Sequence, residues 1–181
     1  MSRISVFDDK NPKQILKQSE KKLEIADTLK GIGVRFEQWS ASKSVHAGDA
    51  QDKVLAAYQK DIDRLIREEG YQTVDVVSLT PDHPQKTAFR EKFLSEHSHS
   101  EDEVRFFVDG EGLFALHVKN KVYEVLCKKG DLISVPANTT HWFDMGPNPR
   151  FVAIRLFNNP EGWVANYTGS KIAERFSRLD N

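Results

Sequence analysis

The chain has 181 residues, of which 39% are hydrophobic and 29% are charged, and this size suits one domain with a substantial buried core. Its 26 basic and 27 acidic residues give a formal net charge of −1, which argues against a dedicated nucleic-acid binder. The single cysteine, Cys127, excludes an internal disulfide framework and a zinc site built from cysteines.

The start of the chain has no features of a targeting segment. The stretch from Met1 to Leu16 is interrupted by charged side chains and lacks the apolar core of a signal peptide. No apolar run in the sequence reaches the roughly 18 residues that a membrane span needs. We therefore expect a cytoplasmic protein that does not contact a membrane.

The part of the chain from about residue 12 to residue 70 is predicted to be mainly helical. In a first segment, which would end near Gly31, the positions that recur every three to four residues are Ile15, Leu16, Ser19, Leu23, Ala26 and Leu29. A second apolar stripe runs from Val54 to Ile66, with Asp49 as a candidate N-cap and Gly70 at the end. The short segment between these helices, residues 34–39, favours a strand.

From Thr73 onward the pattern indicates short β-strands. A strand over residues 74–79 is followed by one or two helical turns from Ala88 to Leu94. Six further strands are predicted at Glu103–Val108, Leu113–Val118, Val122–Cys127, Asp131–Val135, Thr140–Met145 and Phe151–Phe157. Turn signals such as Asp109-Gly110 separate them, and this spacing favours an antiparallel sandwich or small barrel with the helices packed outside.

The most informative stretch begins with His97-Ser-His99. Residues two apart on an extended chain face the same side, so these two imidazoles share a face, and Glu103 has the same parity. Two histidines and one carboxylate form a set that suits Fe²⁺ and related divalent metals. A polar, histidine-rich loop is the alternative interpretation of such a stretch.

The other histidines give weaker signals. His46 and His83 lie in polar, loop-like surroundings, where exposure to solvent is expected. His117 alternates with apolar residues on a predicted strand. This position favours a packed or hydrogen-bonded histidine, although it could approach a functional site.

Two longer patterns resemble the signature motifs of the cupin superfamily. They are the run H-x-H-x3-E-x6-G, which begins at His97, and the run G-x5-P-x-N-x2-H, which ends at His141. In that superfamily the second motif supplies the last histidine ligand. Glu91, Asn138 and Met145 depart from the usual motif residues, but all four ligand positions are retained.

A narrower resemblance is to the acireductone dioxygenase family, the oxygenases of methionine salvage. It is carried by the block from Phe93 to Gly110, the block from Val135 to Gly146 and the later Arg155-Leu-Phe, and it is strongest over residues 71–163. The resemblance implies a mainly β fold, a cupin-type antiparallel double-stranded β-helix (jelly-roll barrel) with the N-terminal helices outside. One monomeric domain over residues 1–181 is then expected, with the metal-binding barrel at about 71–163 and a peripheral, polar tail at 164–181.

The same resemblance implies one Fe²⁺ or Ni²⁺ ion per chain. The implied ligands are His97, His99, Glu103 and His141. The implied partners are O₂ and the acireductone 1,2-dihydroxy-5-(methylthio)pent-1-en-3-one. With Fe²⁺ the implied products are 4-methylthio-2-oxobutanoate and formate, and with Ni²⁺ they are 3-methylthiopropionate, formate and carbon monoxide. The ligand set is the same in both cases.

An acireductone is an acidic, chelating enediol, so a cation is expected near the metal. Arg105 has the parity of Glu103, and Arg155 interrupts an apolar strand, where a guanidinium is expected to be paired or functional. The family resemblance also places three aromatic side chains near the substrate, Phe93, Phe143 and Trp163. Asp102 and His117 are both candidates for the general base.

Two other interpretations remain open from the sequence. The chain could be another cupin enzyme, such as a thiol or flavonol dioxygenase or a sugar-phosphate isomerase, because one fold hosts many reactions. It could also be a non-catalytic cupin that binds a small ligand or stores protein. Members of that last class commonly lose metal ligands, whereas this sequence keeps all four.

Overall fold

The structure is a computed structural model that describes residues 1–180. In chain order its elements are β1 (Arg3–Asp8), β2 (Asn11–Ser19), α1 (Lys22–Lys30), β3 (Arg35–Gln38), α2 (Gln51–Ala57), α3 (Gln59–Glu69), β4 (Thr73–Leu79), α4 (Lys86–Leu94), β5 (His97–Ser98), β6 (Glu103–Val118), β7 (Lys121–Lys128), β8 (Asp131–Val135), β9 (His141–Asp144), β10 (Phe151–Phe157), β11 (Asn166–Tyr167) and a 3-10 helix (Ile172–Arg175). Within the described residues, no helix has the length and hydropathy that crossing a bilayer demands.

The strands form two antiparallel sheets that share the long strand β6. The first half of β6 pairs with β8 and β10, and these pair further with β3 and β4. The second half of β6 pairs with β7 and β9, and this sheet extends through β1 to β2 on one side and through β5 to β11 on the other. The mainly β, cupin-type fold with helices outside is confirmed.

The main core lies between the two sheets. Along β6 the residues alternate, so Phe107 points into this core while Phe106 points to the outer face. On that outer face α2 and α3 pack their apolar side, and the Tyr58 ring meets Phe106 edge-on at 5.5 Å between centroids. The two sheets therefore enclose a single interior. The metal-ligand candidates on β5, β6 and β9 are buried and face this interior.

The predicted helix over Ile15 to Leu29 is wrong for its first half. Residues 11–19 form β2, which turns back from β1 and pairs with it, and the helix α1 begins only at Lys22. Ile15 and Leu16 are 51% and 46% exposed, so their spacing does not mark a buried helical stripe. β1 pairs with β7 of the second sheet, and β2 pairs with β1, so this hairpin adds two strands to that sheet.

The second predicted helix is divided in two at Tyr58. The backbone leaves the helical region there, with a φ of −112°, and the tyrosine ring packs against Phe106 of the sheet. Ala50, rather than Asp49, occupies the N-cap position of α2. The predicted end is confirmed, since Gly70 adopts the left-handed conformation after α3 with a φ of 75°.

The expected turn at Asp109-Gly110 does not exist, because β6 runs without interruption from Glu103 to Val118. Gly110 has a φ of 71°, and a methyl group at this position would overlap the carbonyl oxygen of Arg150. The register against β10 also shifts next to Asp109. The glycine and this bulge let one strand bend and pass from the first sheet to the second.

The C-terminal tail was expected to be peripheral, and over residues 172–176 this is wrong. Ile172 and Phe176 are buried against the outer face of the second sheet, where Trp142 contacts Phe176 at 5.9 Å between ring centroids. The backbone N–H of Leu179 donates to the buried carboxylate of Asp144 at 2.9 Å. The last residue of the tail, Asn181, lies outside the described residues.

Candidate metal centre

Three histidines from two separate parts of the chain converge in the interior. His97 on β5 and His141 on β9 are direct cross-strand neighbours, and His99 follows one residue after β5. One ligand nitrogen from each ring lies within 4.8 Å of the other two, and all three residues are buried. The group can therefore offer three nitrogen ligands to one ion.

The backbone sets which nitrogen of each ring is free. In each imidazole Nδ1 faces a carbonyl oxygen, which only accepts hydrogen bonds, so Nδ1 carries the proton. The three acceptors are Ser95 O at 2.7 Å for His97, Val164 O at 3.0 Å for His99 and Thr139 O at 2.8 Å for His141. Each Nε2 consequently keeps its lone pair for a metal ion.

Glu103 lies beside this group on β6 and is 1% exposed. Its Oε2 atom is 3.2 Å from His99 Nε2 and 3.4 Å from His141 Nε2. Neither Glu103 Oε2 nor His141 Nε2 has a hydrogen-bond partner within the described residues. Buried polar atoms of this kind are costly unless something satisfies them, so the residues present fit a divalent cation between them.

The surroundings keep these groups in their metal-binding protonation states. Burial lowers the pKa of His97 to about 4, and the nearby His141 adds to this effect. Burial alone would raise the pKa of Glu103, but Arg105 and the neighbouring His141 and His99 outweigh it, so that the pKa lies well below its ordinary value. A neutral His97 and an ionised Glu103 therefore prevail at neutral pH.

Arg105 is the nearest cation and is 2% exposed. Its Nε donates a hydrogen bond to Glu103 Oε1. The guanidinium lies over two core rings, 5.0 Å from the centroid of Phe114 and 4.8 Å from that of Phe143. Its NH1 atom has no hydrogen-bond partner within residues 1–180. One side of the guanidinium is thus held by the carboxylate while another N–H remains free for a ligand.

A cavity of about 430 Å³ adjoins this centre. Its lining includes three buried residues of the centre, namely His97, His99 and Arg105. Three more of the side chains expected near the substrate line it as well, namely Phe93, Arg155 and Trp163. Phe143 is not part of the lining. It is buried behind the cavity, where it supports Arg105 and packs against Phe93 at 6.1 Å between ring centroids.

Arg155 is paired, as its apolar surroundings predicted. It forms a two-pronged ion pair with Asp75, with distances of 2.8 and 2.6 Å. Arg105, Arg155 and Asp75 are neighbours in register across β6, β10 and β4, and all three line the cavity. Asp75 was not predicted from the sequence. A lone acidic residue among the valines of β4 was the available signal.

The two candidates for the general base lie elsewhere. Asp102 accepts a hydrogen bond from the backbone N–H of Ala137 at 2.7 Å and does not line the cavity. His117 also lies outside the lining, and both of its ring nitrogens contact carboxylates, those of Glu96 and Asp9. The structure therefore brings neither residue to the place where a substrate would bind.

The remaining histidines differ from each other. His46 is exposed, as expected. His83, which was also expected to face solvent, is only half-exposed and lines the cavity. Its ring lies 5.7 Å from that of Phe89 on α4, which also lines the cavity.

Comparison with known proteins identifies the family. A family model described as the ARD/ARD′ family matches residues 3–165. An acireductone dioxygenase from Alcanivorax borkumensis is 65% identical over 98% of this chain and 98% of its own length. The chain belongs to the acireductone dioxygenase family. A relative of the same name from Pseudomonas aeruginosa is 59% identical over 100% of both chains.

Among solved structures, the acireductone dioxygenase from Bacillus anthracis matches with a TM-score of 0.80 and 33% identity, covering 92% of this chain and 98% of that one. That structure has a cadmium ion in its active center. The acireductone dioxygenase assignment makes this chain a metal-dependent dioxygenase, with a candidate metal site at His97, His99 and His141. It also separates the chain from the other cupin enzymes and the non-catalytic cupins that the sequence left open.

Proposed function

We propose that this acireductone dioxygenase cleaves 1,2-dihydroxy-5-(methylthio)pent-1-en-3-one with O₂ in methionine salvage, using one Fe²⁺ or Ni²⁺ ion per chain. The proposed ligands are His97, His99, Glu103 and His141. The observation that carries the proposal is the convergence of three buried histidines, two of which lie 3.2 and 3.4 Å from a Glu103 oxygen that has no hydrogen-bond partner within the described residues. When bound, a divalent cation supplies Lewis-acid chemistry to the enediol oxygens of such a substrate.

The residues of the chain bind and orient the anionic substrate. Arg105 reaches the cavity with an uncommitted N–H, so it donates a charge-assisted hydrogen bond to an enediolate oxygen. Its low exposure excludes competing water and strengthens that bond. Phe93 and Trp163, which line the cavity, offer apolar surface to the methylthio tail.

Arg155 also contributes to substrate binding in this proposal, in a different way from Arg105. Its charge is balanced by Asp75, so the pair adds polar groups to the cavity wall without adding net charge. The pair fixes the guanidinium in one orientation next to Arg105 in the register of β6 and β10. Arg155 thereby positions the carbonyl side of the substrate, while Arg105 supplies the uncompensated hydrogen-bond donor.

The finer features of the proposal follow the family pattern. The Fe²⁺ form releases 4-methylthio-2-oxobutanoate and formate, and the Ni²⁺ form releases 3-methylthiopropionate, formate and carbon monoxide. We propose a monomer, because the helices α2 and α3 and the C-terminal segment of the same chain cover the outer faces of both sheets. We propose a cytoplasmic location, which suits a single buried, unpaired cysteine.

The proposal is tested by loading metal-free protein with Fe²⁺ or Ni²⁺ under anaerobic conditions and then adding the acireductone and O₂. We expect oxygen uptake with both metals, formate in both cases, and carbon monoxide only with Ni²⁺. A His97→Ala protein treated in parallel should take up no oxygen above the metal-free rate. Protein that binds one ion per chain and leaves the acireductone unchanged would overturn the proposed substrate.

A further inference from the structure

His117 lies between the two segments that carry opposing ligand histidines. Its backbone N–H donates to Thr140 O at 2.9 Å, and its carbonyl oxygen accepts from Thr140 Oγ1 at 2.8 Å. Thr140 immediately precedes His141. The ring atom Nδ1 lies 2.7 Å from Oε2 of Glu96, which immediately precedes His97. One residue is therefore bonded to the chain neighbours of two metal-ligand candidates.

Glu96 depends on these bonds because it is only 4% exposed. Its Oε2 faces His117, and its Oε1 accepts from Thr168 Oγ1 at 2.8 Å. The backbone N–H of Thr168 also donates to the carbonyl oxygen of Glu96 at 3.1 Å. A buried carboxylate is unfavourable without such partners, so their positions determine where the chain can place Glu96 and the following residue.

The far side of the His117 ring contacts a second carboxylate. Its Nε2 lies 3.1 Å from Oδ2 of Asp9, at the turn between β1 and β2. Carboxylates accept hydrogen bonds, so whichever ring nitrogen carries a proton has an acceptor within reach. Arg175 NH2 donates to the backbone carbonyl of Asp9 at 3.2 Å. Segments near both ends of the chain therefore meet at this bridge.

We propose that His117 is a positioning residue for the metal centre. The bridge Asp9–His117–Glu96 sets the position of His97, and the backbone bonds to Thr140 set that of His141, so together they hold the two imidazoles at the spacing that one ion requires. His117 does not line the cavity and makes no contact with a substrate there. The inference rests on the proposed metal centre, and it gives the N-terminal hairpin and the C-terminal segment a role in metal binding.

The test uses Co²⁺ as a spectroscopic probe on the full chain, without substrate. His117→Gln keeps a donor for Glu96 and loses the contact with Asp9. Loss of a residue that hydrogen-bonds a metal ligand directly typically weakens metal affinity by about 10- to 100-fold. His117 bonds the residues next to the ligands, so we expect a loss at the lower end of that range, about tenfold, together with an altered Co²⁺ visible absorption spectrum. Glu96→Gln, which keeps the shape of the side chain, is the second variant and should show the same spectral change if His117→Gln does not fold.

The matched control is His46→Gln, at an exposed loop histidine, which should leave Co²⁺ affinity and spectrum unchanged. Thermal unfolding of the metal-free proteins separates a general loss of stability from an effect on the site. Lower unfolding temperatures in both bridge variants, with wild-type Co²⁺ affinity and spectrum, would overturn the positioning role and leave the proposed function intact. A wild-type chain that binds no Co²⁺ would overturn the metal centre itself.

Discussion

Glu103 and Arg105 share one face of β6, and Arg105 Nε donates a hydrogen bond to Glu103 Oε1 while Glu103 Oε2 stands 3.2 Å from His99 Nε2. One carboxylate therefore connects the histidine cluster to the only buried cation that lines the cavity within the described residues. Because the two residues are separated by one position, the alternation of a single strand is enough to place them together. In the proposed site, the binding of the metal and of the anionic substrate would therefore be coupled through Glu103.

Removal of a histidine ligand should abolish stable metal binding. In the proposed site, His141→Ala takes away one of four donors, so we expect metal affinity to fall by more than the roughly 10- to 100-fold that the loss of an outer-shell partner typically costs. Metal content after gel filtration, measured by mass spectrometry, provides the check. His46→Ala is the control, because this exposed histidine lies in the loop before α2. Full occupancy in the His141→Ala protein would contradict the four-ligand set.

The stability of the metal-free protein should fall as the pH drops below neutrality. The folded-state pKa of His97 is about 4, below the ordinary value of 6.5, so between these values the unfolded chain binds the extra proton and the folded chain does not. Lowering the pH from 7 to 5 should therefore cost about 2 kcal/mol of unfolding free energy from this residue. Urea unfolding at both pH values measures it.

The same experiment on His97→Gln isolates the contribution of that imidazole. This variant should lose less stability between pH 7 and pH 5 than the wild-type protein, whereas His46→Gln should behave like wild type. An equal loss in His97→Gln and wild type would show that other groups cause the acid sensitivity. For metal binding, protons should compete at His97 near pH 4, below the ordinary histidine value of 6.5.

Arg105→Met should impair turnover in samples matched for metal content. A lost charge-assisted hydrogen bond typically costs about 1.5–3 kcal/mol, which corresponds to roughly ten- to a hundred-fold in kcat/KM. Arg105→Lys keeps the positive charge but not the planar, two-sided donor geometry, so it should recover only part of the loss. Steady-state oxygen uptake measures both variants. Wild-type kcat and KM in Arg105→Met would remove this residue from substrate binding.

The Arg155–Asp75 pair should behave as a unit. Arg155→Met leaves the carboxylate of Asp75 unpaired in the cavity wall, where it would repel the proposed anionic substrate, so KM should rise. Adding Asp75→Asn removes that charge and should restore part of the affinity. Directly contacting residues typically show coupling energies of about 0.5–3 kcal/mol in a double-mutant cycle. Strictly additive effects on kcat/KM would mean that the pair has no joint role.

Gly110→Ala should destabilise the fold much more than Gly70→Ala. Both glycines have a positive φ, 71° and 75°, so both substitutions carry the cost of about 1–2 kcal/mol for a left-handed backbone. Only at Gly110 would the added methyl group also overlap backbone, that of Arg150, whereas nothing lies within 4 Å at Gly70. Urea unfolding of the two variants makes the comparison, and equal losses would argue against a tight crossing at Gly110.

Local patterns predicted much of the barrel correctly. The strands at Asp131–Val135 and Phe151–Phe157 have the predicted bounds, because alternation and flanking turn residues are properties of short segments. The shared face of His97 and His99 follows from the same period of two residues. The β2 strand was missed for the opposite reason, since its apolar residues fit a helical spacing and only pairing with β1 selects the extended form.

By itself, the sequence identified the four candidate ligands and the two motifs that contain them, because the spacing of residues within a short motif is a local property of the chain. Only the tertiary structure decided what surrounds them. His117 faces Glu96 and Asp9 at separations of 21 and 108 residues, and Arg155 meets Asp75 across 80 residues. No periodicity encodes such pairs, because hydrogen bonds and ion pairs between distant residues form only where the folded sheets bring their atoms within about 3 Å.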